Sequence, residues 1–227
     1  MPPSDHSLDV GDQPYPAGEI ETGPPQDPRA VARWRNEERP RLIAARLAVS
    51  ADERARVAEA VAVTLDDLVK PGPGMVVSLY WPFRGELDLR GWMAQAAEQG
   101  ARVALPVVEA MGRPLTFREW RPGCRLERGV WNIPFPADGA LVTPAVVVAP
   151  LVGFDPDGYR LGYGGGFFDR TLAALSPRAF AIGVGHPVAA ISTIYPQPHD
   201  IPMNTIIVGA GPARCASIGQ ADSPETR

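Results

Sequence analysis

Four closely spaced glycines carry the strongest chemical signal in this sequence. Gly162, Gly164, Gly165 and Gly166 lie within FDPDGYRLGYGGGFFDRTL, residues 154 to 172, directly before a stretch with helical spacing. Glycines leave backbone N–H groups without side-chain cover and a helix start adds partial positive charge, so such a loop can wrap a phosphate chain. A flexible turn is the other use of the same residues. The loop lacks the Gly-Lys-Ser/Thr of the common nucleotide loop and does not spell the dinucleotide fingerprint. Asp169 has two readings as well. In the first turn of a helix a carboxylate stabilises the helix by itself, whereas beside a bound phosphate it needs a cation such as Mg2+ between them.

Arginines supply the matching charge. Arg35, Arg39 and Arg46 fall on one basic segment and Arg160 stands just before the glycines; a guanidinium can pair with phosphate oxygens, although a solvated surface is its ordinary place. Tyr80, Trp81 and Phe83 can form a flat apolar wall or simply join the core. His199 and Asp200 are adjacent, a spacing that does not imply a metal pair. Cys124 and Cys215 have no local partner, so neither a disulfide framework nor a cysteine zinc site is indicated. No Ser/His/Asp or Cys/His constellation is evident.

The elements that must position these residues can be read from periodicity. A basic helical segment begins near Ala30, and Pro40 is expected to bend it or to start a second helix. Ser50 with Glu53 forms a capping-box pattern before a helix that presents Val57, Val61 and Leu65 on one face. Residues 75–80 read as an interior strand, 86–100 as a helix with an acidic first turn, and 102–106 as another strand. Residues 107–120 read as two strands about a glycine-containing turn. Residues 145–150, 180–185 and 205–209 supply further strands, and 167–175 a helix with Phe168, Leu172 and Leu175 inward. The alternation predicts an α/β three-layer sandwich: a mostly parallel open sheet flanked by helices, with a small antiparallel excursion.

The 227 residues, 45% of them hydrophobic, are enough for one substantial core. Disordered tails are expected over residues 1–28 and 211–227, which are poor in apolar anchors, and a single domain over residues 29–210. The net charge is −4, and Lys70 is the only lysine. No dense basic run interleaved with aromatics points to nucleic acid. No stretch approaches the roughly 20 apolar residues of a membrane span, and no export signal is seen. A cytoplasmic monomer is the expectation.

The string FDPDGYRLGYGGGFFDR resembles the signature of the 5-formyltetrahydrofolate cyclo-ligase family, FD-x-x-G-x-RLG-x-G-x-GYYDR. Arg35, Arg39 and Arg46, the stretch YWPFRGELD at residues 80–88 and HDIPM at residues 199–203 fall in the family's order, so the resemblance extends over residues 31–209. It implies an ATP-dependent, Mg2+-assisted enzyme that closes a ring on a reduced folate. Arg35, Arg39, Gly162, Tyr163, Gly164, Gly165, Gly166, Phe167 and Phe168 are then implied at ATP, and Arg160 and Asp169 at the reacting phosphoryl group, with Asp169 near the metal. Tyr80, Glu86, Trp131, His199 and Asp200 are implied at the folate. Glu86 is suited to this because a carboxylate accepts paired hydrogen bonds from a pterin's amino and ring N–H groups; stabilising a helix start is its compatible alternative.

Departures accompany the match. Phe167 and Phe168 stand for paired tyrosines, Phe135 for an acid, a glutamine before the His-Asp pair is absent, and the last strand ends IIVG rather than IITE. The nucleotide end is therefore better kept than the pterin end. A folate- or nucleotide-binding paralogue without catalysis, a ligase for another N-formyl compound, and, on fold analogy alone, a sugar-phosphate isomerase or acyl-carrier transferase are the competing expectations.

Overall fold

The structure, a computed structural model, describes residues 27–214. His6, Cys215 and most of both expected tails lie outside the described residues. The chain opens with α1 (Pro28–Ala48) and α2 (Ala51–Val69), followed by β1 (Val76–Ser78), α3 (Arg90–Glu98), β2 (Arg102–Val107) and β3 (Thr116–Glu119). A ribbon follows, β4 (Leu126–Arg128) and β5 (Pro134–Pro136), joined by a 3-10 turn at Val130–Asn132. Then come β6 (Val146–Pro150), β7 (Gly153–Phe154), β8 (Arg160–Leu161), α4 (Phe167–Ala174), β9 (Phe180–Val184), β10 (Thr205–Ile207) and β11 (Pro212–Arg214).

Seven strands form one sheet in the order β11-β10-β9-β6-β1-β2-β3. The pairs from β10 to β2 are parallel, and the edge strands β3 and β11 are antiparallel. Side chains alternate between faces with period two. Val77, Val103, Val146, Val148 and Ile182 pack with Val61 and Leu65 of α2 and Met93 of α3. Ala104, Val147, Ala149, Ala181 and Ile206 pack on the other side with Phe167 and Leu172 of α4. Both faces are covered, so β6 reads as an unbroken apolar run. This is the layered α/β architecture expected from the sequence.

Several local expectations are corrected. Pro40 lies inside a continuous α1, Pro28–Ala48, so no second helix starts there; the proline removes one helical hydrogen bond without ending the helix. The helix expected from residue 86 starts at Arg90, whose N–H bonds Asp88 Oδ1 at 3.1 Å. Glu86 is therefore a loop residue. On α4 the deeply buried aromatic is Phe167, while Phe168 stays partly open. The sheet continues past Gly211 into β11, where the sequence reading starts a tail.

After β1 the chain moves to β2 on one side and returns to β6 on the other. The crevice beyond the carboxyl ends of strands at such a reversal is the usual ligand position in open α/β sheets. α1 closes it from above: Leu42 packs with Val152, Leu161 and Ile194, which ties the helix to the β7–β8 ribbon preceding the glycines.

Candidate functional site

A cleft of about 400 Å3 opens at this reversal point. Its lining includes α1 through Arg35 and Arg39, the loop after β1 through Phe83 and Glu86, the end of β2, the β4–β5 ribbon, the glycine loop with the start of α4, and the segment around His199. The glycines and the expected phosphate arginines thus share one space with the expected folate residues.

On one side lies the loop from Gly162 to Gly166. Gly164 has φ +93° and Gly166, the N-cap of α4, has φ +60°, left-handed values that favour glycine. No side chain caps the helix, so its first N–H groups stay available for an anion. Arg39 secures the loop, donating from Nε to Gly162 O at 2.8 Å and from Nη1 to Asn36 Oδ1 at 2.7 Å. Burial lowers its pKa, with the Arg35 charge adding to the effect, yet a guanidinium keeps its proton. Its Nη2 has no partner among the described residues. A methyl group on Gly164 would sit 3.2 Å from the Arg39 guanidinium carbon and would impose a left-handed conformation worth about 1–2 kcal/mol. Gly164→Ala is therefore expected to raise KM for the phosphate-bearing substrate about tenfold, measured by initial rates, and to lower the melting temperature by about 2–8 °C.

Arg160 lies beneath the loop, only 7% exposed. Its Nη2 donates to Asp169 Oδ2 at 3.0 Å, its Cζ lies 5.0 Å from the Phe168 ring centroid, and its Nε is buried without a partner. Burial lowers its pKa, and Asp169 opposes that shift. A buried donor left unpaired is uncommon in folded chains, and Arg118 and Arg170 share this state at Nε. Asp169 Oδ1 in turn accepts the Ile201 N–H at 3.3 Å. The carboxylate therefore joins α4 to the segment that carries His199.

The other side is apolar around one carboxylate. Glu86 Oε2 accepts the Phe83 N–H at 3.0 Å and Oε1 accepts the Tyr163 hydroxyl at 3.0 Å. Burial pushes its pKa up to about 7, against the pull of Arg46 and of the two hydrogen bonds. The Phe83 and Tyr163 rings lie 5.9 Å apart, and Trp131 meets Phe167 edge-on at 5.9 Å. Trp131 is 48% exposed at the tip of the β4–β5 ribbon, with φ +56°, so a broad aromatic surface faces the opening. Phe135, on β5, faces the cleft beside the Arg118 guanidinium at 5.8 Å.

Three sequence assignments take a different form. Arg35 donates to Ile194 O, Tyr195 O and both oxygens of Asp200, so its fork braces the 194–200 segment and retains one N–H for any ligand. Asp200 is the partner in that brace and also accepts the Gln197 N–H at 2.6 Å. Tyr80 is buried and its hydroxyl donates to Leu87 O at 2.9 Å, leaving only its ring to border the cleft. His199 remains open, its side chain 77% exposed. Arg46 is the functional residue whose role the sequence did not disclose: 3% exposed, it reaches Arg84 O, Leu151 O and the Tyr163 hydroxyl.

Among the described residues no group of three or more His, Cys, Asp or Glu side chains could hold a metal ion. Asp169 alone, already engaged by Arg160 and Ile201, is not a built cation site.

The family model described as the 5-formyltetrahydrofolate cyclo-ligase family matches residues 31–209. A 5-formyltetrahydrofolate cyclo-ligase of Haemophilus influenzae is 27% identical over 150 residues, covering 63% of this chain and 80% of that protein. Its counterpart in Escherichia coli K12 is 33% identical over 138 residues, covering 58% and 76%. The Aquifex aeolicus 5,10-methenyltetrahydrofolate synthetase structure superposes with a TM-score of 0.68 at 27% identity, covering 84% of this chain and 97% of that one.

Proposed function

The chain belongs to the 5-formyltetrahydrofolate cyclo-ligase family, and from that premise we propose that it converts 5-formyltetrahydrofolate to 5,10-methenyltetrahydrofolate at the expense of ATP, releasing ADP and phosphate. The observation that carries this reading is the shared cleft: the glycine loop, Arg39 and Arg160 face the same space as Glu86 and the aromatic surface. A phosphoryl donor and a flat, N–H-bearing acceptor can therefore meet in it.

The formyl oxygen on N5 is a poor leaving group as hydroxide. It attacks the γ-phosphorus of ATP, ADP departs, and the imino-phosphate so formed is attacked by N10. The N10 proton and phosphate are lost as the ring closes. No protein nucleophile is required. The loop amides, Arg39 and Arg160 neutralise charge on the transferring group and hold it in line, which is the protein's main task in phosphoryl transfer. Mg2+ enters as the magnesium complex of ATP. Glu86 orients the pterin through paired hydrogen bonds, while Phe83, Trp131 and Phe168 exclude water around the reacting carbon.

Residues 29–210, continued by β11, form the catalytic unit in this reading, a cytoplasmic monomer acting on a reduced folate. The test incubates purified protein with 5-formyltetrahydrofolate and magnesium-ATP, following the methenyl chromophore and ADP together. Equimolar appearance of both is the expected result. ADP without chromophore would assign the site to another N-formyl acceptor, and tight folate binding with neither product would make the chain a binding protein.

A further inference from the structure

We propose that Tyr163 is a positioning residue for folate recognition: its hydroxyl, oriented by Arg46, directs its proton onto Glu86 and keeps that carboxylate an acceptor toward the substrate. This rests on the reading of the cleft given above. The direction of the hydrogen bonds follows from what each group can do. A guanidinium only donates, so the 2.7 Å contact from Arg46 Nη2 occupies a lone pair of the Tyr163 oxygen. The single phenolic proton is then left for Glu86 Oε1 at 3.0 Å. Arg46 cannot turn away, because Arg84 O and Leu151 O hold its other arms at 3.0 and 3.1 Å.

The position of Tyr163 adds to the argument. It stands between Gly162 and Gly164, so the backbone that borders the phosphate side also carries the hydroxyl that sets the folate side. Its ring packs against Phe83, and a phenylalanine would keep that packing while removing the proton. The charged and titratable groups facing Glu86 are Arg46 from α1, Tyr163 from the glycine loop and Tyr80 after β1. Tyr80 has its proton on Leu87 O and supplies Glu86 with none. Among the described residues, only Tyr163 and the Phe83 N–H donate to the carboxylate.

The Tyr163 bond favours the ionised form of Glu86, so its loss shifts the carboxylate's titration upward. The experiment measures KM for 5-formyltetrahydrofolate and for ATP from about pH 5.5 to about pH 9, a span covering both states of the carboxylate, in the unaltered chain, Tyr163→Phe and Glu86→Gln. In the unaltered chain the folate KM rises as pH falls through about 7. In Tyr163→Phe that midpoint moves up by about one pH unit, and the folate KM at neutral pH rises about tenfold. The ATP profile keeps its shape. In Glu86→Gln the folate KM is high and independent of pH. An unmoved midpoint in Tyr163→Phe, or folate and ATP constants that shift together, overturns the proposal while leaving the cyclo-ligase reading intact. Absence of the methenyl chromophore with the unaltered chain removes both.

Discussion

Arg160→Lys is expected to lower kcat about a hundredfold, with the folate dissociation constant within about twofold of the original and the melting temperature within a few degrees. The size follows from removing one preorganised donor aimed at charge that develops in the transition state, which lowers rates by roughly 100- to 1000-fold. Lysine retains a positive charge for Asp169, so the partly buried carboxylate keeps its counterion and the fold is spared. It cannot retain the fork. Arg160 spends only one arm on Asp169, at 3.0 Å, and its Nε is buried and unpaired. A lysine ammonium drawn to Asp169 has no second rigid arm to offer a phosphoryl oxygen. The 5.0 Å stacking on Phe168 also goes with the planar group. Single-turnover kinetics with saturating ATP and folate would measure the effect. A rate unchanged by this substitution would mean that Arg160 only balances the charge of Asp169, and the transferring group would have to be stabilised by Arg39 and the loop amides.

The glycine loop was legible in the sequence because its chemistry is local: adjacent glycines, a following helical period and an arginine beside them lie within a few residues. The sheet was legible for the same reason, since β6 is an apolar run that a strand buried on both faces demands. What escaped reading depends on distance along the chain. Arg35 and Asp200 are 165 positions apart, and nothing in either neighbourhood says that the arginine faces a carboxylate rather than a phosphate. Arg46 meets Leu151 across 105 positions and Tyr163 across 117, so its role as the support of the Glu86 side appears only once α1 lies over the β7–β8 ribbon. The β4–β5 ribbon was hidden differently. Pro134 and Pro136 remove backbone donors and argue against a strand, and a short two-stranded ribbon tolerates them because its outer edges need no partner. At Glu86 the assigned helix start is displaced to Arg90, while the carboxylate lines the cleft.

Asp200→Ala is expected to produce the largest loss of stability among these substitutions, about 3–5 kcal/mol, seen as a fall in melting temperature of about 10 °C for a domain of this size. Both side chains of the pair are nearly buried, at 11% and 9% exposure, with the closer contact 2.5 Å. Removing the aspartate leaves a buried guanidinium whose remaining partners are two backbone carbonyls, and it also frees the Gln197 N–H. Burial works to raise the Asp200 pKa, but the Arg35 bonds and the Gln197 N–H outweigh it and hold the carboxyl below its ordinary value of 3.8. The contribution is therefore complete at neutral pH and disappears as pH falls below 3.8 through the lower folded value, so the gap between Asp200→Ala and the unaltered chain should narrow in acid. The double substitution Arg35→Met with Asp200→Leu should recover much of the lost stability, because replacing both members of a buried pair leaves no unpaired charge. The double variant should still have a raised KM for folate, since Ile201 and His199 would lose the brace that holds their segment beside Asp169. Thermal denaturation at neutral and acid pH, with folate titrations of each variant, separates the two effects. If the double variant is as unstable as Asp200→Ala, the loss stems from the unsatisfied backbone of residues 194–200 rather than from the stranded cation.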